Sequence, residues 1–282
     1  MNYSVLMTVY DKDNPLYFKT ALKSMINQTK IPDEIVIVKD GPVNSNIQSV
    51  INDIKNKSSI LIKEIQLEKN KGLGLALNEG IKHCRNELIA RMDSDDISLP
   101  TRCEKQVIEF EKDSELDIVG CPVIEFIDEI NNKVGERKVP LDNNSIYRYC
   151  KKRDPFNHPT VMYKKSKLEA VGCYSDLRKN QDTDLWIKML SNNAKCLNLP
   201  EVLLYFRFDE NTYKKRKNWL NTKLLIKIRW KAYLNRFCSF FDFFQVLDHS
   251  ILMELELILF LQFLHLFLNR ISVAPKLPLI LS

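Results

Sequence analysis

The chain has 282 residues and a formal net charge of +6, enough for one large domain with a substantial core and an appended segment. Its seven cysteines are scattered without a Cys-x-x-Cys pair, which excludes a disulfide framework and a zinc site and favours a reducing compartment. Because the N-terminus enters an apolar strand directly, we expect no secretory leader.

Short apolar strands alternate with helical patterns in the first third of the chain. The predicted strands are residues 3–10, 35–38, 60–67 and 88–92, with helical patterns at 16–28 and from Asn70 to Gly80. Continuous apolar strands alternating with helices are typical of a parallel sheet that is covered on both faces. We therefore predict an open α/β sheet.

An acidic run, Asp93-Ser94-Asp95-Asp96, follows the fourth predicted strand; Ile97 to Pro100 come next, and a helical pattern begins. Carboxylates at the C-terminal end of a buried strand lie at the ligand-binding edge of an open α/β sheet. Mg²⁺ typically takes one or two carboxylates plus substrate phosphates, so the run indicates a metal-bound diphosphate. For an isolated Asp-x-Asp, helix capping in a solvated loop would be the favoured interpretation.

Polar residues after the other strands reverse that preference. Thr8, Tyr10, Asp40, and Asn70 with Gly72 each follow a successive strand, so sheet topology can bring them to one edge. Taken singly, each residue is better explained as an ordinary strand, turn or packing residue. Together they form a nucleotide site with an aromatic face for a base, a carboxylate for a base N–H, and a metal for phosphates.

Five ordered segments carry a resemblance to a known family. They are residues 4–10, 38–42, 70–80, 91–96 and 181–186. On these motifs, residues 3–210 resemble the family 2 glycosyltransferases with the GT-A fold, most closely the bacterial capsule, O-antigen and amylovoran type. The resemblance implies a Rossmann-like α/β fold, with a mixed, mostly parallel sheet flanked by helices. It also implies a nucleotide-binding half at 1–121 and an acceptor half at 122–210.

The resemblance also implies residue roles. Thr8, Tyr10 and Asp40 would hold a uracil, and Asn70 and Gly72 would complete the nucleotide site. Asp93 would face the ribose or the metal, Asp95 would ligate the metal, which would be Mn²⁺ or Mg²⁺, and Asp182 would be the catalytic base. The implied activity is inverting, metal-dependent transfer of one hexose or N-acetylhexosamine. The donor would be a nucleotide-diphosphate sugar, with UDP expected, and the acceptor a saccharide, with a polyprenyl-diphosphate-linked one expected.

This sequence departs from the family pattern at several positions. Lys39 and Pro42 replace the usual ends of the Asp-Asp-Gly-Ser turn, and Gln181 replaces a glutamate before the base. The usual Arg-x-His appears as Arg207-Phe208-Asp209, so Arg207 and the separate His158 are candidates for a phosphate or acceptor contact. A packed or capping histidine is an equally good interpretation of His158. Ile226 replaces the glutamine of the processive Gln-x-x-Arg-Trp motif, which predicts a single addition.

The acceptor half is predicted from weaker patterns. We expect a hairpin at 123–139, a mobile loop from Tyr147 to Phe156, a return to the sheet at 160–163 and a further strand at 202–208. Asp182 opens a predicted helix, 182–190, whose apolar residues face inward. Asp184 is an alternative base, although two residues along a helix it should point elsewhere.

The tail, 211–282, differs from the rest of the chain in its composition. From Asn211 to Phe241 it holds nine basic residues and no acid, interleaved with aromatic and aliphatic side chains, a pattern typical of a segment on an anionic membrane surface. Core packing is the first alternative, and nucleic-acid binding is the least favoured. Residues 251–268 are apolar but include Glu254 and Glu256, so we expect an interfacial helical hairpin or a homodimer contact rather than a span. These features predict a cytoplasmic enzyme, peripheral on the inner face of a bacterial plasma membrane.

Two other function classes stay open. A sugar-1-phosphate nucleotidyltransferase would normally carry a glycine-rich phosphate loop after the first strand, where this chain has Asp11 to Pro15 without a glycine. A non-catalytic nucleotide-sugar-binding module would not need Asp182 alongside Asp93 and Asp95.

Overall fold

The computed structural model describes residues 1–208 and 219–247. The strands are β1 Tyr3–Val9, β2 Glu34–Lys39, β3 Leu61–Gln66, β4 Leu88–Met92, β5 Ile97–Ser98, β6 Leu116–Gly120, β7 Val123–Phe126, β8 Lys133–Arg137, β9 Met162–Lys164, β10 Lys195–Asn198 and β11 Leu204–Arg207. The helices are α1 Pro15–Ile26, α2 Ser45–Lys57, α3 Leu73–His83, α4 Arg102–Lys112, α5 Asn143–Cys150, α6 Lys165–Ala170, α7 Gln181–Ser191 and α8 Trp219–Leu234, with a 3₁₀ turn at His158–Thr160.

Seven strands form the central sheet in the order β10-β6-β9-β4-β1-β2-β3. β1 runs parallel to β2 and β4, β2 runs parallel to β3, and β6 runs parallel to β10. β9 is antiparallel to both of its neighbours, β4 and β6. The predicted mixed, mostly parallel sheet is therefore confirmed. Because β1 to β4 are parallel, their C-terminal ends meet at one edge, where ligands bind in such sheets.

Helices cover both faces of this sheet because alternate strand residues point to opposite sides. Val5 and Met7 of β1 belong to the core formed with α1, α2 and α4, whereas Leu6 belongs to the core formed with α3, α5, α7 and α8. α1 shows how the local sequence directs this packing. The Asn14 side chain caps its N-terminus by accepting from the backbone N–H of Leu16 at 2.9 Å, and Pro15 occupies the first turn.

A second sheet of four strands has the order β5-β11-β7-β8. β7 and β8 pair antiparallel, which confirms the predicted hairpin at 123–139. β5 was not predicted; it follows the acidic run and pairs with β11. The helix predicted after Pro100 is confirmed and begins at Arg102. The strand predicted at 202–208 is confirmed as β11, which joins the acidic run to the acceptor half.

The predicted mobile loop from Tyr147 to Phe156 is wrong over its first part, where α5 extends to Cys150. Asp142 caps α5 through the N–H of Ser145 at 3.0 Å, while Ile146 and Cys150 are buried one turn apart. The polar and aromatic residues at the start of the predicted loop therefore belong to an amphipathic helix. The return to the sheet is confirmed at β9, although Thr160 still lies in the 3₁₀ turn, and α7 confirms the helix predicted at 182–190.

The described part of the tail consists of α8 and a further helical stretch at 240–247. Arg229 was predicted to lie on the membrane-facing surface with the other basic residues. That prediction is wrong, because Arg229 is buried and donates to the backbone carbonyl of Cys150. Within residues 1–208 and 219–247, no helix has both the length and the apolar character to cross a bilayer. The Lys214-to-Lys217 cluster and the predicted hairpin at 251–268 lie outside the described residues, and the domain boundary at 210 stays a prediction.

Exposed apolar side chains cluster on this part of the tail. We call the set, together with the half-buried Tyr233, the aromatic face; its exposed members are Trp230, Leu234, Phe240, Phe241 and Phe244. The rings contact one another, with centroids 5.8 Å apart for Tyr233 and Phe240 and 6.4 Å apart for Phe240 and Phe244. Leu234 and Phe241 are 60% and 66% exposed, so the described residues leave this face open.

Candidate active site

The acidic run places three carboxylates together at the end of β4. Asp93, Asp95 and Asp96 each offer an oxygen, and these oxygens lie within 4.8 Å of one another. Asp96 is buried, Asp93 is half-buried and Asp95 is exposed. Carboxylate oxygens at this spacing are the ligands that hard divalent cations prefer.

The three acids differ in what compensates their charge. Buried Arg91 on β4 forms a two-pronged ion pair with Asp93, in which Nη1 donates to Oδ2 at 2.7 Å and Nη2 donates to Oδ1. Asp95 has no ion-pair partner among the described residues. Although Asp95 reaches solvent, the surrounding protein displaces much of its water, and this desolvation, with the charges of Asp93 and Asp13, raises its pKa to about 7. A bound cation would relieve this accumulated negative charge, so the residues present fit a divalent metal.

Arg207, the last residue of β11, holds the acidic run in place through contacts with Asp95 and Asp96. The Arg207 backbone N–H donates to Asp96 Oδ1 at 2.8 Å, and burial followed by repulsion from Asp95 raises the pKa of Asp96 well above its usual value. The Arg207 guanidinium donates to the carbonyl of Asp95 at 3.0 Å and lies 3.7 Å from the Tyr17 ring centroid. These contacts tie Arg207 to the acidic run, and Arg207 does not line the cleft that Asp93 and Asp95 line. Its predicted phosphate or acceptor contact stays a prediction.

The strand ends bring the predicted nucleotide and metal residues into one cleft, which we call the strand-end pocket. Its volume is about 340 Å³. Its lining includes Thr8, Tyr10, Asp40, Asn70, Gly72, Asp93 and Asp95. The Tyr10 side chain is 36% exposed, which leaves its ring accessible to a planar ligand. Residues that are as many as 87 positions apart in the chain thus meet because the parallel topology places their strand ends side by side.

Asp40 shapes the floor of the strand-end pocket. Its two carboxylate oxygens accept from the backbone N–H groups of Lys71 and Gly72 at 2.7 and 2.9 Å. Gly41 has a φ of 90° and lies so near the Asn70 backbone that a Cβ there would meet Asn70 N at 2.8 Å. The turn after β2 and the loop before α3 are therefore locked together. The Asp40 carboxylate is held in place whether or not it also accepts from a base.

Arg178, from the acceptor half, lies against two residues that line this pocket, Asn70 and Gly72. Its Nη1 donates to Asn70 Oδ1 at 3.0 Å, and Asn70 Nδ2 donates to the carbonyl of Asp40 at 3.2 Å. At Gly72, where φ is 93°, an added Cβ would lie 3.1 Å from Arg178 Nη1. The Arg178 guanidinium therefore lies beside Gly72 at the N-terminus of α3, where negatively charged ligands are favoured.

Asp182 lies in the first turn of α7 and does not line the strand-end pocket. It accepts from the Thr183 N–H at 3.0 Å. Desolvation, together with the charge of Asp154, raises the pKa of Asp182 to about 6, while Arg91 acts in the opposite direction. Arg91 also lowers the pKa of Asp95, so one buried guanidinium acts on both the acidic run and Asp182. A carboxylate with a pKa just below neutrality is suited to accept a proton.

Asp184, the alternative base, is directed elsewhere as expected. Its carboxylate is buried, accepts from Ser175 Oγ at 2.6 Å and pairs with Lys188 at 3.4 Å. The contact with Ser175 holds the loop that precedes α7, and the pair with Lys188 lies within α7. Asp182 is therefore the more available of the two carboxylates.

His158 is a packed residue in this structure, and it does not line the strand-end pocket. Its Nε2 lies 2.8 Å from the Tyr174 hydroxyl, and its ring packs against Trp186 with a centroid distance of 5.8 Å. Burial and nearby Arg91 hold the pKa of His158 well below its ordinary value, so the ring is neutral. These contacts agree with the packed-histidine interpretation, and a phosphate or acceptor contact by His158 stays a prediction.

Four residues at or near these sites were missed from the sequence. Asp13 lines the strand-end pocket and accepts from Ser94 Oγ at 2.9 Å, which ties the loop after β1 to the acidic run. Arg178 and Asp154 also went unassigned, and Arg229 had been assigned to the membrane-facing surface instead. Asp13 was visible as a carboxylate in the loop that follows the first strand. The others depend on contacts between segments far apart in the chain, for which the sequence holds no local signal.

Comparisons with known proteins agree on one family. The model of the family described as Glycosyl transferase family 2 matches residues 4–172. An amylovoran biosynthesis glycosyltransferase, AmsE of Erwinia amylovora, is 39% identical over 217 residues, covering 77% of this chain and 80% of the relative. A UDP-Gal:alpha-D-GlcNAc-diphosphoundecaprenol beta-1,3-galactosyltransferase of Escherichia coli is 39% identical over 241 residues, covering 86% of each chain.

Solved structures match the fold. The Staphylococcus aureus TarS structure in complex with UDP-GlcNAc has a TM-score of 0.64 and 20% identity, covering 83% of this chain and 66% of that one. A mannosyltransferase from Pyrobaculum calidifontis in complex with GDP-Man and Mn²⁺ has a TM-score of 0.61 and 14% identity, covering 82% of this chain and 64% of that one. At these identities the likeness establishes the GT-A fold alone, which confirms the fold predicted from the motifs.

Proposed function

The chain belongs to glycosyl transferase family 2 and is a glycosyltransferase, and we propose that it moves one hexose or N-acetylhexosamine from a UDP-sugar to a saccharide acceptor in bacterial surface polysaccharide synthesis. The observation that carries the proposal is the strand-end pocket. It brings an accessible tyrosine ring, a fixed carboxylate and an acidic run into one cleft, as a nucleoside diphosphate requires. Relatives in polysaccharide synthesis and a neighbour in complex with UDP-GlcNAc support the substrate class.

In the proposed donor complex, the uracil lies between Thr8 and Tyr10 with Asp40 at its polar edge. Asp95, with Asp93 beside it, would hold Mn²⁺ or Mg²⁺. When bound, such a cation supplies Lewis-acid stabilisation of the charge that develops on the leaving diphosphate. Arg178 adds a positive charge at the rim of the same pocket.

Asp182 is the proposed base. Its pKa of about 6 leaves it ionised at neutral pH, yet close enough to neutrality to accept the proton of an acceptor hydroxyl. The hydroxyl would attack the anomeric carbon from the side opposite the leaving diphosphate. One such displacement inverts the anomeric centre, so an α-linked donor would give a β-linked product.

The proposed acceptor is a lipid-linked saccharide at the inner face of the plasma membrane. The E. coli relative is named for an acceptor joined to a lipid through a diphosphate. The aromatic face and the exposed Lys223, Lys227 and Lys231 on α8 are typical of a segment that rests on an anionic membrane surface. A homodimer contact through the aromatic face is the alternative.

A donor panel tests the proposed function. The full chain is incubated with Mn²⁺, a saccharide acceptor and each of a set of nucleotide sugars, and the nucleotide products are separated. We expect a UDP-sugar to release UDP as the sugar is transferred. Exchange of pyrophosphate would instead indicate a sugar-1-phosphate nucleotidyltransferase, and binding without turnover would indicate a non-catalytic module.

A further inference from the structure

A second cleft, of about 410 Å³, lies between α7 and the tail, and we call it the basic cleft. Its lining includes Lys152, Arg153, Asp154, Thr183, Arg229 and Gln245. None of the residues that line the basic cleft also lines the strand-end pocket. The basic cleft therefore has room for a molecule other than the nucleotide donor.

Positive charge exceeds negative charge in the basic cleft. Three cationic side chains line it against the single carboxylate of Asp154, which is 3.7 Å from Arg229 Nη2 and accepts from Thr183 Oγ1 at 2.9 Å. The Arg153 guanidinium has no partner among residues 1–208 and 219–247. Buried Arg229 also retains a donor, Nε, without a partner in the part of the chain that the structure describes. Unused donors and excess positive charge favour an anion, because guanidinium groups bind phosphate oxygens strongly.

The basic cleft lies next to the proposed catalytic base in the chain. Thr183 lines the cleft and directly follows Asp182, and the Asp154 charge acts on Asp182 strongly enough to raise its pKa. A molecule held by the cationic side chains could therefore present a hydroxyl to Asp182. The nucleotide would remain in the strand-end pocket.

The basic cleft and the aromatic face draw residues from the same two helical stretches of the tail, α8 and 240–247. Arg229 lines the cleft while the next residue, Trp230, belongs to the aromatic face; likewise Gln245 follows Phe244. A ligand that fits both surfaces has an anionic group joined to a long apolar chain. A lipid whose saccharide is attached through a diphosphate has this chemistry, with the sugar on one side of the diphosphate and the lipid on the other.

We propose that the basic cleft binds the diphosphate of a lipid-linked saccharide acceptor through Lys152, Arg153 and Arg229, with the lipid chain along the aromatic face and the saccharide at Asp182. The proposal rests on the proposed function and assigns the acceptor's diphosphate a site of its own. Lys152 also pairs with Asp242 at 3.5 Å, so Arg153 is the cationic residue most available to the ligand.

Binding to the full chain tests this proposal without any sugar transfer. The probes are geranyl diphosphate, inorganic pyrophosphate and UDP, measured by calorimetry. We expect geranyl diphosphate to bind more tightly than pyrophosphate, and Arg153→Gln to weaken geranyl diphosphate binding by about tenfold, the loss of one charge-assisted contact. UDP binding with Mn²⁺ should be unchanged. The matched control is Arg148→Gln, which removes an exposed arginine on α5 outside the basic cleft.

Other outcomes overturn the proposal. If Arg153→Gln leaves geranyl diphosphate binding unchanged, or weakens UDP binding equally, the cleft does not have this role. If it instead weakens only the binding of phosphatidylglycerol vesicles, the cationic residues contact lipid headgroups. Arg229→Gln is a second variant, but Arg229 is buried, so Arg153→Gln remains the decisive one. If the donor panel shows no transfer while geranyl diphosphate binds as expected, the proposed function fails and the diphosphate site stands.

Discussion

The strand-end pocket and the basic cleft have opposite charges and different origins. The strand-end pocket is acidic where Asp93 and Asp95 line it and is built from loops that follow parallel strands. The basic cleft is cationic and is built where α7, the segment after α5 and the tail meet. In the proposed function the two sites would bind a diphosphate in different ways: the strand-end pocket through a metal held by carboxylates, and the basic cleft directly through guanidinium and ammonium groups. Asp182 directly precedes Thr183, which lines the basic cleft, and the following variants separate the contributions of the two sites and of Asp182.

The largest effect should come from the acidic run. Asp95→Asn should lower transfer roughly a thousandfold, because a neutral amide binds a divalent cation much more weakly than a carboxylate. Chelation of wild-type protein with EDTA should have the same effect, and Mn²⁺ or Mg²⁺ should restore activity. Asp176→Asn, an exposed acid outside the strand-end pocket, is the control in steady-state assays. Full activity in EDTA would show that transfer does not require a divalent cation.

Asp182→Asn should lower the turnover number by about 10²-fold or more while donor affinity stays close to that of the wild type. The amide keeps the shape of the side chain but cannot accept the acceptor's proton. Turnover and the dissociation constant for UDP are measured on the same preparation, with Asp184→Asn as the control from the same helix turn. A collapse of donor affinity with normal turnover of bound donor would assign Asp182 to the nucleotide site.

The pH dependence should follow Asp182. A base acts only when ionised, so at saturating Mn²⁺ kcat/KM for the acceptor should fall as the pH drops through about 6, the pKa of Asp182. Asp154→Asn should move this midpoint to lower pH, because the Asp154 charge helps to raise that pKa. Asp242→Asn, which removes an acid that pairs with Lys152, should leave it unchanged. A pH midpoint that Asp154→Asn leaves unchanged would contradict the assignment of Asp182 as the base.

Arg178→Gln should raise the KM for the donor several-fold with little change in turnover. The variant removes a positive charge and the hydrogen bond that holds Asn70 at the rim of the strand-end pocket. Lys179→Gln changes the neighbouring exposed cation and serves as the control. An effect on the acceptor KM alone would place Arg178 in the acceptor site instead.

The smallest effects should be at the aromatic face. Phe241→Ser and Phe244→Ser should each reduce binding to phosphatidylglycerol vesicles several-fold, and high salt should weaken binding further by screening the lysines. Ile108→Ser, an exposed apolar residue on α4, is the control in vesicle sedimentation. If wild-type protein ignores anionic vesicles at low salt and sediments as a dimer, the aromatic face is a contact between copies.

The two regions also differ in how far the sequence predicted them. The residues of the strand-end pocket could be predicted from hydrophobic periodicity and from their position in the chain. Residues such as Asp40 and Asp95 follow apolar strands, and a parallel sheet aligns the ends of such strands. The basic cleft depends on Asp154, Thr183 and Arg229 meeting across three segments, and no local pattern signals such a meeting. Arg229 was misassigned for a related reason: within a basic, aromatic segment, composition does not reveal which cation turns inward.

The position of Mn²⁺ and of the nucleotide in a crystal of the full chain tests the central claim most directly. The crystal is grown with Mn²⁺ and the nucleoside diphosphate released in the donor panel, and the metal is located by its anomalous scattering. The account predicts a metal peak at coordinating distance from the Asp95 carboxylate, with the base beside Tyr10 and Asp40 and the basic cleft free of nucleotide. A diphosphate bound between Arg153 and Arg229, with no metal at Asp95, would contradict it.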